Sequence, residues 1–269
     1  MPSHLLNSSD KSSQSIYIHS EDAVINISDS DKIYYFDEAI VAPPGFRILI
    51  GLTSMVIPNA IYNISSTSNT IKIGSSTYTI TAGNYSAQDL ATAITTQISS
   101  IGSVSFSEDN NVFVFTFGSA TFIDSTTMER QLGLGNNQLP TTSATSYKAT
   151  NLADLGGVRN IYVRLSNLTM NNIDSNGTTN NIIASVINDT NFGAYLFHNP
   201  SEVLYYQITE QQFSHLNISL TDQSNIPLEL NGVEYTMTLT VHFTKQRESS
   251  QKSSLLREIV EQYKNKEKK

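Results

Sequence analysis

Residues 197–243 read FHNPSEVLYYQITEQQFSHLNISLTDQSNIPLELNGVEYTMTLTVHF, two alternating segments separated by turn-forming residues. In its last segment Tyr235, Met237, Leu239, Val241 and Phe243 alternate with Thr236, Thr238, Thr240 and His242. Successive strand side chains point to opposite faces, so the pattern predicts a strand with one buried face and one hydroxyl-bearing face. Leu216, Ile218 and Leu220 alternate with Asn217 and Ser219 in the same way. Residues 222–227 punctuate the two segments, and Asn231-Gly232 offers a second turn where positive φ is tolerated. Antiparallel strands with one wet face imply an all-β sandwich.

Working outward, strand signals appear at residues 22–28, where Ala23, Ile25 and Ile27 alternate, and at 33–41. Pro43-Pro44-Gly45 breaks the chain, because proline fixes φ and lacks a donor. FRILIGLTSMVI at 46–57 is almost continuously apolar, which predicts a central strand buried on both faces. Further strands are expected at 159–168, 182–188, 203–209, 213–220 and 234–243. Eight strands interrupted after the third predict a single jelly-roll sandwich with a small α+β domain inserted; a lipocalin-like closed barrel is the alternative.

The expected domains are a flexible, Ser-rich N-terminal arm at 1–18, a jelly roll at 19–61 plus 152–245, the insertion at 62–151, and a basic C-terminal tail at 246–269. Within the insertion, hairpins are expected around Gly74-Ser75-Ser76 and Glu108–Asn111. Between them Ser86-Ala87-Gln88-Asp89 has the form of a capping box ahead of Leu90, Ala91, Ile94 and Ile98 at helical spacing.

Charged residues make up 15% of the chain and the net charge is −8, a poor match to wholesale nucleic-acid binding. With no cysteine, disulfides and thiolate metal sites are excluded. No apolar run is long enough to span a membrane, and residues 1–15 lack the apolar core of a signal peptide. The tail inverts the charge balance: from Lys245 to Lys269 eight Lys or Arg stand against four Glu. There Leu255, Leu256, Ile259, Val260 and Tyr263 form an apolar stripe, and Lys264, Lys266, Lys268 and Lys269 follow, so an amphipathic helix docking on a partner is expected.

Catalytic signatures are sparse. The histidines at 4, 19, 198, 215 and 242 show no compact metal spacing, and His242 is expected at the surface. Gly133-Leu134-Gly135 lacks the third glycine of a dinucleotide loop, and neither a phosphate-binding loop nor a nucleophile elbow occurs. Glu108, Asp109, Asp124, Asp154 and Glu202 could act as a carboxylate pair for glycoside hydrolysis, but each lies in or beside a turn. No enzyme activity, cofactor or metal is expected.

The order of several motifs resembles the penton-type minor capsid proteins of virophages and Polinton-like viruses. These are LTSMVIPN at 52–59 running into Tyr62-Asn63-Ile64, Tyr78-Thr79-Ile80 before Gly83-Asn84-Tyr85-Ser86, and Arg130-Gln131-Leu132-Gly133-Leu134. Phe197-His198-Asn199-Pro200, LELNG at 228–232 and the final strand complete the series. The resemblance implies a homopentamer closing the fivefold vertices of a virion assembled in the host cytoplasm, among trimers of a double jelly-roll major capsid protein. It also implies an outward insertion and inward chain ends, with the basic tail near genome or capsid lining. A receptor- or glycan-binding fibre or spike module, meeting a host receptor through 62–151, is the alternative.

Overall fold

The structure is a computed structural model in which residues 11–135, 142–170, 172–173 and 179–245 are described. Strands β1 (Lys11–His19), β2 (Ile25–Ser28), β3 (Asp31–Val41) and β4 (Phe46–Pro58) come first. The inserted stretch follows, with β5 (Thr70–Ile73), β6 (Ser76–Thr79), α1 (Ala87–Ile98), β7 (Gly102–Ser107), β8 (Val112–Thr121), β9 (Ile123–Thr126), α2 (Glu129–Leu132) and β10 (Ala144–Lys148). The chain then continues through β11 (Asn160–Leu165), β12 (Asn172–Ile173), β13 (Thr179–Asn180), β14 (Ile182–Ile187), β15 (Tyr195–His198), β16 (Tyr206–Gln207), β17 (Gln212–Thr221) and β18 (Thr236–Lys245).

The pairing defines the fold. β1 pairs with β18, β3 with β17, β4 with β15 and β11 with β14, all antiparallel. First therefore pairs with last and so inward, as in one long hairpin of eight strands. Rolling that hairpin over brings β18 beside β4 and β11 beside β17, which closes two sheets of order β1-β18-β4-β15 and β14-β11-β17-β3-β2. This is the double Greek key of a single jelly roll. The sheets remain separate, so the closed-barrel alternative does not hold.

Inward residues of β18 (Met237, Leu239, Val241) meet those of β17 (Leu216, Ile218, Leu220) and β11 (Ile161, Val163, Leu165) in one buried cluster. The continuous apolar run of β4 has a different cause from the expected burial on both faces. Ile48, Ile50 and Leu52 point inward, the register slips at Thr53 where β18 passes from Leu239 to Thr238, and Met55 and Ile57 point inward again. A bulge of one residue shifts the inward parity and so hides the alternation. Outward Leu49 and Val56 are only half-buried.

Two further expectations are corrected. Residues 11–18, expected in the flexible arm, are the first jelly-roll strand. β1 pairs with β18 along its whole length, burying Ile16 and Ile18 among Ser, Gln and Tyr, too few apolar residues to betray a strand. With β1 counted and short β2 an edge appendage, β4 is still the third strand of the jelly roll and the insertion follows it as expected. Residues 203–209 supply only the two-residue β16, because Val203 and Leu204 cross the outer face of β4. There a Cβ on Gly51 would lie 2.6 Å from the Leu204 carbonyl oxygen.

A buried polar group bolts the first turn to the last strand. The Ser20 N–H donates to the Tyr235 carbonyl at 3.0 Å and the Tyr235 N–H to Ser20 Oγ at 2.9 Å, while Ser20 Oγ donates to Glu234. Lys32 Nζ donates to the Ser20 carbonyl at 2.9 Å and lies 3.5 Å from Glu234. The Tyr34 and Tyr235 hydroxyls meet at 3.4 Å, and burial pushes the Tyr34 phenol up to about 12 and raises Tyr235 also. Lys32→Ala is expected to cost about 1–3 kcal/mol by orphaning the Ser20 carbonyl and opening a void, and Lys32→Met less, because it keeps the stem's packing. Thermal unfolding of the two variants checks the order.

A second buried cluster lies within residues 64–149 and includes Ile71, Leu90, Ile94, Phe113 and Phe115. Here α1 packs against the sheet β10-β8-β7, beside the sheet β6-β5-β9. Ser86 caps α1, its Oγ accepting from the Asp89 N–H at 3.1 Å. The Asp89 carboxylate takes the Ser86 hydroxyl instead of reaching back to a backbone N–H. Ser86→Ala is expected to destabilise this helix by about 1 kcal/mol, read as faster amide exchange in residues 87–90.

Candidate assembly surface

The strand order places the edges. Residues 20–24 carry the chain directly from β1 to β2, which puts these two sheet edges on one flank of the sandwich. Residues 188–194 do the same for β14 and β15 on the opposite flank. Exposed large apolar side chains concentrate on these edges. Of the fourteen among the described residues, four lie on the first flank (Tyr17, Val24, Ile25, Ile27) and four on the second (Ile187, Phe192, Tyr195, Phe197). Tyr17 and Phe197 are each 73% exposed. Rings on the second flank gather in pairs, Tyr195 with Phe197 at 6.4 Å and Phe192 with Tyr62 at 5.7 Å.

Clustered exposed apolar area marks interaction surfaces, and unlike patches on opposite sides are the geometry that a head-to-tail contact between copies needs. Of the strand expected at 22–28, residues 25–28 form β2, where Ile25 and Ile27 face out, and only Ala23 packs on the core. The signal in the sequence was local, apolar residues on short edge strands, which periodicity alone does not separate from core residues.

The two poles of the sandwich differ as well. Lys245 pairs with Phe46 and Thr244 with Lys11, so the described chain begins and ends at the pole where β4 starts. The insertion leaves from the other end of β4, 13 residues or about 40 Å away. The jelly-roll loops at the insertion pole, 20–30, 188–194 and 222–235, hold seven Asp or Glu and no Lys or Arg.

Between the 222–229 loop and the inserted stretch lies a cleft of about 660 Å³. Tyr62, Ile61, Val158 and Ile226 contribute apolar surface, and Thr126, Thr127 and Glu129 are among its polar groups. One contact bridges it, Glu229 accepting from both the N–H (3.2 Å) and the hydroxyl of Ser66. Burial raises the Asp154 carboxyl, yet hydrogen bonds from Arg130 and the Gly156 N–H, with the Arg130 and Arg159 charges, outweigh it and hold the group below its ordinary value. Arg130 Nε lies 2.8 Å and Arg159 Nη2 3.4 Å from this carboxylate.

The candidate carboxylates are dispersed. Glu108 and Asp109 sit at the β7–β8 turn, Asp124 pairs with Lys72 at 2.6 Å, and Glu202 lies in the loop before β16. Among the described residues no group of three His, Asp or Glu could hold a metal ion. His215 stacks on Tyr35 at 5.4 Å, and burial lowers the His198 pKa. His242 is half-buried beneath the edge of Tyr205, 4.4 Å away, instead of standing at the surface, because the segment crossing Gly51 lays this ring over β18. No helix among the described residues is long and apolar enough to cross a membrane. The tail residues Leu255, Leu256, Ile259, Val260, Tyr263, Lys264, Lys266, Lys268 and Lys269 lie outside the described residues.

No protein-family model and no curated protein matches the chain. Among solved structures it is similar to the mavirus penton protein, at 13% identity over 87% of this chain and 98% of that one, with a TM-score of 0.45. It is also similar to a chain of the Sputnik virophage structure, at 12% identity over 88% of this chain and 98% of that one, with a TM-score of 0.38.

Proposed function

We propose that this chain is a viral capsid protein of penton type, a jelly roll that assembles flank to flank into a closed homopentamer at the fivefold vertices of a virion. The observation that carries the reading is the pair of exposed apolar flanks on opposite edges of one sandwich. A patch that meets a different patch on the next copy generates a ring when the rotation closes, and a fivefold ring is the one a vertex requires. The order of motifs from Leu52 to Phe243 supports the same family.

In this reading the two poles face opposite ways. The acidic pole with its insertion faces outward, and the pole from which residues 246–269 continue faces the particle interior. There the basic, amphipathic tail sequence meets capsid lining, genome or a double jelly-roll major capsid protein around the ring. Assembly takes place in the host cytoplasm, and the role is structural.

Native mass measurement on the purified full chain tests the proposal. A dominant species at five times 29.6 kDa is expected. A chain that stays at 29.6 kDa, even with its major capsid protein added, overturns it.

A further inference from the structure

We propose that the cleft between the inserted stretch and the 222–229 loop binds a neutral saccharide. At about 660 Å³ it is the size of an ordinary small-ligand site. Its lining is of two kinds. Tyr62, Ile61, Val158 and Ile226 offer an aromatic ring and apolar area, while Ser65, Thr67, Thr126, Thr127 and Glu129 offer hydroxyls and a carboxylate. A sugar ring has the same division, an apolar C–H face and a rim of hydroxyl donors.

Charge narrows the class. Four carboxylates line the cleft (Glu129, Asp154, Asp222, Glu229) against the single cation Arg130. Arg130 is itself held by Asp154 and the Gly157 carbonyl. An acidic sugar would meet net repulsion with no free cation to receive it. A basic peptide is also poorly matched, since most of these carboxylates are already engaged. Asp222 accepts from the N–H groups of Ser224 and Ile226, Glu229 accepts from Ser66, and Asp154 is paired with two arginines. Glu129 remains as the acceptor for a hydroxyl pair, a charge-assisted bond stronger than a neutral one. Because the lining comes from the inserted stretch and from the jelly-roll segments 154–158 and 222–229, a bound sugar would touch both. Each copy of a ring would carry one such site, so weak single-site binding would gain by multivalency.

The test is an array of neutral oligosaccharides built from hexoses and N-acetylhexosamines, with sialylated counterparts and a Lys/Arg-rich peptide as further arms, probed with the full chain. Calorimetry then follows on the best neutral binder. Wild type is expected to retain neutral glycans, and Tyr62→Ala and Glu129→Gln each to weaken binding at least tenfold, with circular dichroism unchanged. Asp109→Asn, at the exposed β7–β8 turn outside both the cleft and the flanks, is expected to bind as wild type. No neutral glycan retained by folded wild type, preference for the sialylated or peptide arm, or undiminished binding by both cleft variants overturns the proposal. A variant that cannot form rings should keep the single-site affinity, so failure here is separable from failure of the assembly reading.

Discussion

Phe197→Glu is expected to leave the chain folded and to abolish the ring. Phe197 is 73% exposed at the edge strand β15, so the substitution touches no buried cluster and should cost the monomer little. In a flank-to-flank contact the same side chain is buried, and a carboxylate placed there would be desolvated without a partner. The expected change is a loss of pentamer mass at concentrations where wild type is fully assembled, a shift of at least a hundredfold in the assembling concentration. Ile27→Glu on the opposite flank should do the same. In the proposed heterologous contact, mixing the two variants is expected to restore one good interface per pair and yield dimers that cannot close. Sedimentation of each variant and of the mixture reads all three outcomes; assembly of either single variant at wild-type concentration counts against the flanks.

The second large effect concerns the inserted stretch. Phe115 is fully buried in the cluster of residues 64–149, which shares no member with the cluster of the jelly roll. Truncation of such a core aromatic to alanine costs about 3–5 kcal/mol. That is a large share of what a unit of this size has to lose. Phe115→Ala is therefore expected to open residues 62–151 while the jelly roll stays intact. Limited proteolysis should cut inside that span and spare β17 and β18. Leu239→Ala, in the other cluster, should expose the jelly roll instead. One cooperative transition that carries both clusters together in Phe115→Ala would show that they do not unfold as separate units.

These variants also mark what was legible in the residues and what was not. Strand β18 declared itself, because strict alternation from Tyr235 to Phe243 survives in the structure as one buried face. Helix α1 did too, since capping and periodicity agree there. The first strand was hidden because Ile16 and Ile18 are its only buried apolar side chains, and its ladder with β18 is an interaction between residues more than two hundred positions apart. β4 concealed its alternation behind the Thr53 bulge. The flanks were the hardest to read. Ile25, Ile27, Tyr195 and Phe197 have the composition of core residues, and only the position of β2 and β15 at sheet edges turns them outward. A cleft lined from residues 61 to 229 has no signature along the chain.

In the proposed ring one contact repeats, the β2 edge of one copy against the β15 edge of the next. The chain has no cysteine, so the pair Ile27→Cys and Phe197→Cys can be placed without competing thiols. A short bis-maleimide applied to the double variant is predicted to give a ladder of covalent species ending at the closed ring, while each single variant stays uncrosslinked. A single variant that crosslinks to itself, or a double variant that remains monomeric in the gel, would contradict the arrangement.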